Sequence, residues 1–165
     1  MDEIVDEPTL RNRIHVFEDR FHAGELLANR LEDFRGRNDA YILAIPAGGV
    51  QVAFVVARKL EIPLDVAVTR KLHVPWNMEA GFGALSWDGD LFINEPLVSH
   101  LGLTRDAVDR CISIEKEAIR KRRKTFRDER PFPDLKGKAV IAVDDGLASG
   151  FSMLATLAAI KRREV

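Results

Sequence analysis

The stretch AVIAVDDGLASGFSM, residues 139–153, decides how this chain is read. It opens with five apolar residues without polar alternation, which is typical of a strand covered on both faces in a parallel α/β sheet. Two carboxylates, Asp144 and Asp145, follow at once, and open α/β sheets bind their ligands at the carboxyl ends of the strands. The stretch therefore predicts a buried strand that delivers two acids to a binding site.

The loop that follows the acids has the composition of an anion site. It runs from Gly146 to Gly150 and leads directly into a helical run. Backbone N–H groups at the start of a helix, together with the helix dipole, bind phosphate, and Ser149 and Ser152 add hydroxyl donors. The two acids suit the hydroxyls of a sugar diol better than a phosphate. We therefore expect phosphate on one side of this loop and ribose on the other.

Three other loop motifs do not fit these residues. A Walker A loop needs Lys where Phe151 stands, and the Gly-x-Gly-x-x-Gly pattern of dinucleotide-binding folds is absent. A nucleophile elbow also fails, since one residue too many separates the first glycine from Ser149. An acidic turn before an ordinary helix is the structural alternative.

The first half of the chain predicts a β-α-β unit. YILAI at 41–45 is short and apolar, PAGG follows at 46–49, and apolar residues then recur at helical spacing as far as Leu60. LDVAVT at 64–69 is a β-branched run that supplies a second strand. This order predicts parallel pairing with a right-handed crossover.

The remaining patterns predict one hairpin and three helices. Asp88-Gly89 is a strong turn signal within 83–94, which we interpret as an antiparallel excursion from the sheet. The predicted helices cover 23–34, 104–127 with Thr104 as the N-cap, and 152–163. The fold class is therefore α/β, with a parallel sheet flanked by helices and an antiparallel hairpin.

Composition excludes several classes of function. The chain has 165 residues, which fits one domain, and its net charge of −1 gives no argument for a nucleic-acid partner. No apolar run approaches the roughly 20 residues that span a bilayer, and the lone Cys111 cannot form an internal disulfide, so we expect a cytoplasmic protein without a membrane partner. The acidic start predicts an arm over 1–16 before a domain over 17–165.

VIAVDDGLASGFSM resembles the signature with which type I phosphoribosyltransferases bind phosphoribosyl pyrophosphate (PRPP): an apolar strand, two acids, then a Gly/Ser/Thr loop. The similarity covers most of the chain from Phe17 onward. Its blocks occur in the order seen in a group of phosphoribosyltransferase-domain proteins and read FEDRFHAGELLANRL, AIPAGGVQVA, LDVAVTRKLHVPWNMEAGFGAL and LKGKAVIAVDDGLASG. The resemblance implies a type I phosphoribosyltransferase-like fold in which the hairpin is part of a lid or hood.

The resemblance also implies a role for each loop. The residues implied to hold the 5′-phosphate of PRPP are Gly146, Leu147, Ala148, Ser149, Gly150 and Ser152. Those implied to hold the pyrophosphate are Ala47, Gly48, Gly49, Arg70 and Lys71. The implied catalytic set is Arg70, Lys71, Asp144 and Asp145. The two aspartates are implied to hold the ribose hydroxyls and to reach Mg²⁺, directly or through water. A lid is implied over 72–94, and Glu79 is expected to anchor this lid, to touch the metal or to serve as a structural cap.

The implied activity is transfer of phosphoribose from PRPP, with Mg²⁺, to a nitrogenous base with release of pyrophosphate. Relatives of this fold often pair, so the resemblance also implies a homodimer. Three departures point to an alternative. Ala47 stands where the related group usually has Arg, and Ala148 lacks the acid that hypoxanthine and guanine enzymes place beside the base. The sequence stops at Val165, so a C-terminal strand and part of the base-binding hood are expected to be missing. The alternative is a non-catalytic domain that senses PRPP or a nucleotide.

Overall fold

A computed structural model describes residues 4–127 and 130–165, apart from the side chains of Met78, Glu79 and Arg127. The helices are α1 (Arg20–Arg30), α2 (Gly48–Leu60), α3 (Glu95–His100), α4 (Arg105–Arg127) and α5 (Phe151–Lys161). The strands are β1 (Ala40–Ala44), β2 (Leu64–Val66), β3 (Arg70–Val74), β4 (Asn77–Leu85), β5 (Leu91–Ile93) and β6 (Ala139–Val143). Short 3₁₀ turns at Pro8–Leu10 and Glu32–Phe34 flank α1.

The predicted parallel sheet is present, with three strands in the order β2-β1-β6. Ile42 of β1 aligns with Leu64 on one side and with Ile141 on the other. The central strand is almost wholly buried because its side chains alternate between two cores. Ile42 packs with α2, whereas Leu43 packs on the opposite face with the second half of the chain. The predicted β-α-β order with parallel pairing is therefore confirmed.

Helix α1 packs against α2 at very short range. Gly24 makes this approach possible, because a Cβ at this position would lie 2.8 Å from both the Val52 carbonyl oxygen and the Val55 Cβ. Asp19 caps the helix by accepting a hydrogen bond of 2.8 Å from the backbone N–H of His22. The start of α1 is thus fixed relative to the start of α2.

The antiparallel excursion is larger than the sequence predicted. It is a three-stranded sheet in the order β3-β4-β5, not a single hairpin over 83–94. The strand predicted over 64–69 ends at Val66, and the chain enters the second sheet at Arg70. Ala67 and Val68, which link the two sheets, are fully buried. The apolar pattern therefore continues through the link, and the sequence does not show where β2 ends.

The second sheet is built into the main core. Leu72, Phe82 and Leu85 are fully buried, and the Trp87 ring stacks on Phe132 with 4.7 Å between ring centroids. Helices α4 and α5 pack against this sheet. The segment that the resemblance assigns to a lid therefore has an inner face that is part of the core, and its exposed tip is the turn that contains Trp76.

The long helix is confirmed from its first residue onward. Thr104 accepts a hydrogen bond of 3.3 Å from the Ala107 N–H at the start of α4, as predicted for an N-cap. Sequence patterns missed α3, a short helix that begins after Asn94, whose side chain accepts from the Leu97 N–H at 3.1 Å. None of the helices within the described ranges combines the length and the apolar character needed to cross a membrane.

Candidate functional site

The candidate site lies where β1 and β6 end side by side. Ala44 aligns with Val143 in the parallel register, and the Ile45 N–H donates to the Val143 carbonyl at 2.8 Å. Both chains then leave the same edge of the sheet, the edge at which α/β folds bind ligands. The Pro46–Ala47 peptide bond in the first of these loops is cis. The fold therefore brings the loop over 46–49 beside the acids of the signature.

Two glycines of this loop make room for the acids. A Cβ at Gly48 would overlap the Asp145 carboxylate, with all three of its nearest atoms under 3.0 Å. A Cβ at Gly49 would lie 2.8 Å from the Val143 carbonyl oxygen and 2.9 Å from the Asp144 Cα. The structure thus joins two predicted groups of site residues, the glycine turn and the acid pair, into one surface.

Sequence reasoning missed the cation that binds the second acid. Arg20, the first residue of α1, donates through Nε to Asp145 Oδ2 at 2.8 Å, and its Nη2 lies 2.7 Å from the same oxygen. The Arg20 side chain is 52% exposed and that of Asp145 is 30% exposed. The only sequence signal was that Arg20 lies inside FEDRFHAGELLANRL, a block that resembles the family; nothing there pointed to a partner 125 residues away.

The two acids have opposite electrostatic surroundings. Burial raises the pKa of Asp144 to about 6, and the neighbouring Asp145 charge adds to that rise. Hydrogen bonding from Arg20 lowers the pKa of Asp145 from its usual value. The Asp145 N–H also donates to Asp144 Oδ1 at 2.8 Å, which fixes the orientation of the Asp144 carboxylate. Asp145 therefore stays ionised to lower pH than an ordinary aspartate, whereas Asp144 takes up a proton in mildly acidic solution.

The predicted phosphate loop is open to solvent. Residues 145–149 are exposed, and the Leu147 side chain is 66% exposed. Gly150 has a φ of +74°, a left-handed conformation that suits glycine, and it immediately precedes α5. The N-terminus of an 11-residue helix thus faces an exposed loop next to the acids, as the sequence predicted.

Arg70 and Lys71 are not brought together. They are adjacent in β3, so their side chains leave opposite faces of the strand. Arg70 donates through Nε to Oε2 of the buried Glu115 at 2.7 Å. The Lys71 stem crosses Gly81 of β4, where an added Cβ would come within 2.5 Å of the Lys71 Cγ. Arg70 is therefore held against α4, and the expectation that both cations meet one pyrophosphate stays a prediction.

A buried hydroxyl pair connects the site to the second sheet. Thr69, just before β3, and Thr156 of α5 lie 2.9 Å apart through their Oγ1 atoms, and both are almost fully buried. This hydrogen bond ties the entry to β3 to the helix that follows the phosphate loop. Sequence reasoning did not identify either threonine, because two isolated threonines carry no pairing signal.

The acidic side chains of this edge that could contact a metal ion are those of the adjacent residues Asp144 and Asp145. No group of three or more His, Cys, Asp or Glu residues that could hold a metal occurs in the described part of the chain. Mg²⁺ is usually bound by one or two carboxylates together with phosphate oxygens of a substrate, and Asp144 with Asp145 fit that pattern. The predicted lid residue Glu79 lies in β4, but its side chain is outside the described part of the structure.

The fold and the two facing loops define an α/β protein with a candidate binding edge at the carboxyl ends of β1 and β6. Residues 91–165 match the phosphoribosyl transferase domain family. Two curated proteins of Mycobacterium tuberculosis, "Putative phosphoribosyl transferase Rv0571c" of strain H37Rv and "Putative phosphoribosyl transferase MT0597" of strain CDC 1551, are each 43% identical over 138 residues. Each alignment covers 82% of this chain and 30% of the relative, so the chain spans under a third of the length of these proteins.

A solved structure agrees over more of its length. The crystal structure of TT1426 from Thermus thermophilus has a TM-score of 0.70 and 37% sequence identity, and the match covers 89% of this chain and 69% of TT1426. The second half of the chain therefore belongs to the phosphoribosyl transferase domain family, and most of the chain is similar to the two proteins named "Putative phosphoribosyl transferase", as the resemblance of its signature indicated.

Proposed function

We propose that this domain binds PRPP together with Mg²⁺ and transfers the phosphoribosyl group to a nitrogenous base, with release of pyrophosphate. One observation carries the proposal: the acids Asp144 and Asp145 lie directly against Gly48 and Gly49, beside an exposed loop that leads into a helix. A sugar with a phosphate on one side and a pyrophosphate on the other needs this combination of acceptors and backbone donors.

Each part of the site has a chemical task in this proposal. Carboxylate oxygens of Asp144 and Asp145 would accept hydrogen bonds from the ribose hydroxyls and orient the sugar. The loop over 146–150 and the N-terminus of α5 would hold the 5′-phosphate through backbone N–H groups and through the hydroxyls of Ser149 and Ser152. Both groups fix the reacting carbon in place without taking part in bond making.

Charge separation is the central difficulty of the reaction. As the bond from the ribose C1 to pyrophosphate breaks, positive charge develops on the sugar and negative charge on the leaving oxygens. When bound, Mg²⁺ would supply positive charge to those oxygens. The loop over 46–49 would hold the leaving group through its backbone N–H groups, while the acid pair, which fills the space beside Gly48 and Gly49, would face the sugar. Removing one well-placed donor in comparable sites costs on the order of 10²–10³ in rate.

The first experiment is calorimetric titration of PRPP with Mg²⁺ into the wild type and into Asp144→Asn/Asp145→Asn. We expect binding by the wild type and none by the double variant. Asp109→Asn, an exposed substitution on α4, is the matched control and should bind like the wild type. Absence of binding by the wild type, or equal binding by the double variant, contradicts the proposal.

A second function, sensing of PRPP or a nucleotide without catalysis, is favoured by one observation. Arg70, one of the two cations assigned to the leaving group, is already paired with the buried Glu115. Pyrophosphate release in the presence of PRPP and a panel of bases and amines separates the two functions. Turnover with any acceptor supports the transferase, whereas tight binding without turnover across the panel supports the sensor.

A further inference from the structure

Arg20 connects the first helix of the domain to the acid pair at the end of the last strand. Its guanidinium contacts Asp145 twice, and both contacts end on Oδ2. The other carboxylate oxygen keeps its capacity to accept from a hydroxyl or to contact a cation. The same carboxylate occupies the space that a side chain at Gly48 would fill. Asp145 is therefore held between a glycine on one side and a guanidinium on the other.

The position of Arg20 is set by the fold. It is the first residue of α1, next to the capping Asp19, and Gly24 brings that helix into backbone contact with α2. Gly48 is the first residue of α2. The first residues of α1 and α2 thus both lie beside Asp145, which follows β6. The fold therefore places the Arg20 guanidinium next to the Asp145 carboxylate.

The pair contributes little to stability. About half of the Arg20 side chain and a third of the Asp145 side chain are exposed, and ion pairs this exposed to solvent have small effects on unfolding. An arginine presents its N–H groups in a rigid planar fork, so it fixes the direction of a carboxylate better than a lysine does. The contact is better suited to orienting the acid than to holding the fold together.

We propose that Arg20 is a positioning residue of the PRPP site, which acts by fixing the Asp145 carboxylate against Gly48. The inference rests on the proposed function, since it assigns a task to Asp145 in sugar binding. In metal sites, partners that orient the ligating side chains are worth about 10- to 100-fold in metal affinity or activity, and we expect an effect of that order here.

Three single variants test the proposal by calorimetry with PRPP and Mg²⁺. Arg20→Gln removes the charge and the planar fork, and we expect its dissociation constant to rise at least tenfold. Arg20→Lys restores the charge without the fork, and we expect a partial recovery. Arg30→Gln, at the other end of α1 and paired with Glu7, is the matched control and should bind like the wild type. Wild-type affinity in Arg20→Gln overturns the inference.

A double-mutant cycle shows whether Arg20 acts through Asp145. If it does, adding Arg20→Gln to Asp145→Asn causes little further loss of affinity, because the carboxylate to be oriented is already gone. If the two losses multiply, Arg20 contacts the ligand itself and the positioning role is wrong. Thermal unfolding of each variant shows whether it is folded.

A crystal structure of Arg20→Gln without ligand separates this inference from the proposed function. We expect the Asp145 carboxylate to turn away from Gly48 in that structure, and an unmoved carboxylate overturns the positioning role. Failure of the wild type to bind PRPP contradicts the proposed function instead, and the carboxylate position still shows whether Arg20 orients Asp145.

Discussion

At the scale of single residues, the site depends on the absence of side chains at Gly48 and Gly49. The acids of the signature use the volume that side chains there would occupy. The sequence predicts the glycine turn, but it does not show why glycine is needed at these two positions. The resemblance implies that the backbone amides at these glycines hold the pyrophosphate, and in the structure the space beside the same glycines is filled by Asp144 and Asp145.

Gly48→Ala is expected to displace the Asp145 carboxylate. The added Cβ would overlap that carboxylate, and an exposed acid moves more readily than the start of α2. We expect a rise of about tenfold or more in the dissociation constant for PRPP with Mg²⁺, with only a modest fall in the unfolding temperature, because the affected carboxylate is at the surface. Calorimetry and a thermal scan check both parts, and unchanged affinity contradicts the role given to Gly48.

Asp144 makes stability depend on pH in an unusual direction. Its pKa is raised to about 6 in the folded protein, so the folded state binds the proton more tightly than the unfolded chain does. The contribution of this group to stability is therefore largest below its ordinary pKa of 3.8 and is lost as pH rises to about 6. The hydrogen bond from Arg20 lowers the pKa of Asp145, which therefore has the opposite dependence, and its contribution is lost as the solution becomes acidic.

Urea unfolding of the wild type and of Asp144→Asn across pH 4 to 7 separates these contributions. The amide cannot ionise, so the variant should gain stability relative to the wild type as pH rises through that window. The difference between the two proteins should level off above about pH 7. A difference that is constant across the window, or that changes in the other direction, contradicts the raised pKa.

At the scale of elements, the second sheet is anchored to α4 by an ion pair that few patterns would reveal. Arg70 of β3 and Glu115 of α4 are 45 residues apart, and Glu115 lies among charged neighbours in a helix whose exposed face is strongly basic. The adjacency of Arg70 and Lys71 in the sequence predicts that both cations act on the same group. In β3, successive side chains point to opposite faces of the strand, so Arg70 and Lys71 are separated. Because β3 begins at Arg70, this residue takes one face and Lys71 the other.

Glu115→Gln should destabilise the domain by about 1–3 kcal/mol, because it leaves the partly buried Arg70 without its charged acceptor. The measurement is the free energy of urea unfolding. Arg70→Met combined with Glu115→Leu removes both charges and should recover much of the loss, as expected when a buried ion pair is replaced by apolar side chains. Equal stability of Glu115→Gln and the wild type contradicts the anchoring role.

At the scale of the whole molecule, local patterns predicted more of the fold than of the site. The strand over 139–143 and the helix that begins after Thr104 match the structure, because continuous apolar runs and caps are local signals. Helix α3 was too short for periodicity to show. The Arg20–Asp145 contact depends on how two helices and a strand converge, and no single stretch of sequence carries that information.

Ligand binding should stabilise the whole domain, because the proposed ligand contacts loops from both halves of the parallel sheet. At a PRPP concentration 100 times the dissociation constant, the expected gain is about 2.7 kcal/mol. A thermal scan with PRPP and Mg²⁺ should show a clear rise in the unfolding temperature of the wild type and none in Asp144→Asn/Asp145→Asn. A rise of the same size in both proteins would mean that the ligand binds elsewhere.

The distance along the chain between Arg20 and Asp145 also has a consequence for synthesis. The two residues are 125 positions apart, and a ribosome adds about 5–20 residues each second. Arg20 therefore leaves the ribosome on the order of ten seconds before its partner exists. A nascent chain that already contains the whole β-α-β unit still lacks both acids, so the proposed site for a sugar phosphate is completed only late in synthesis.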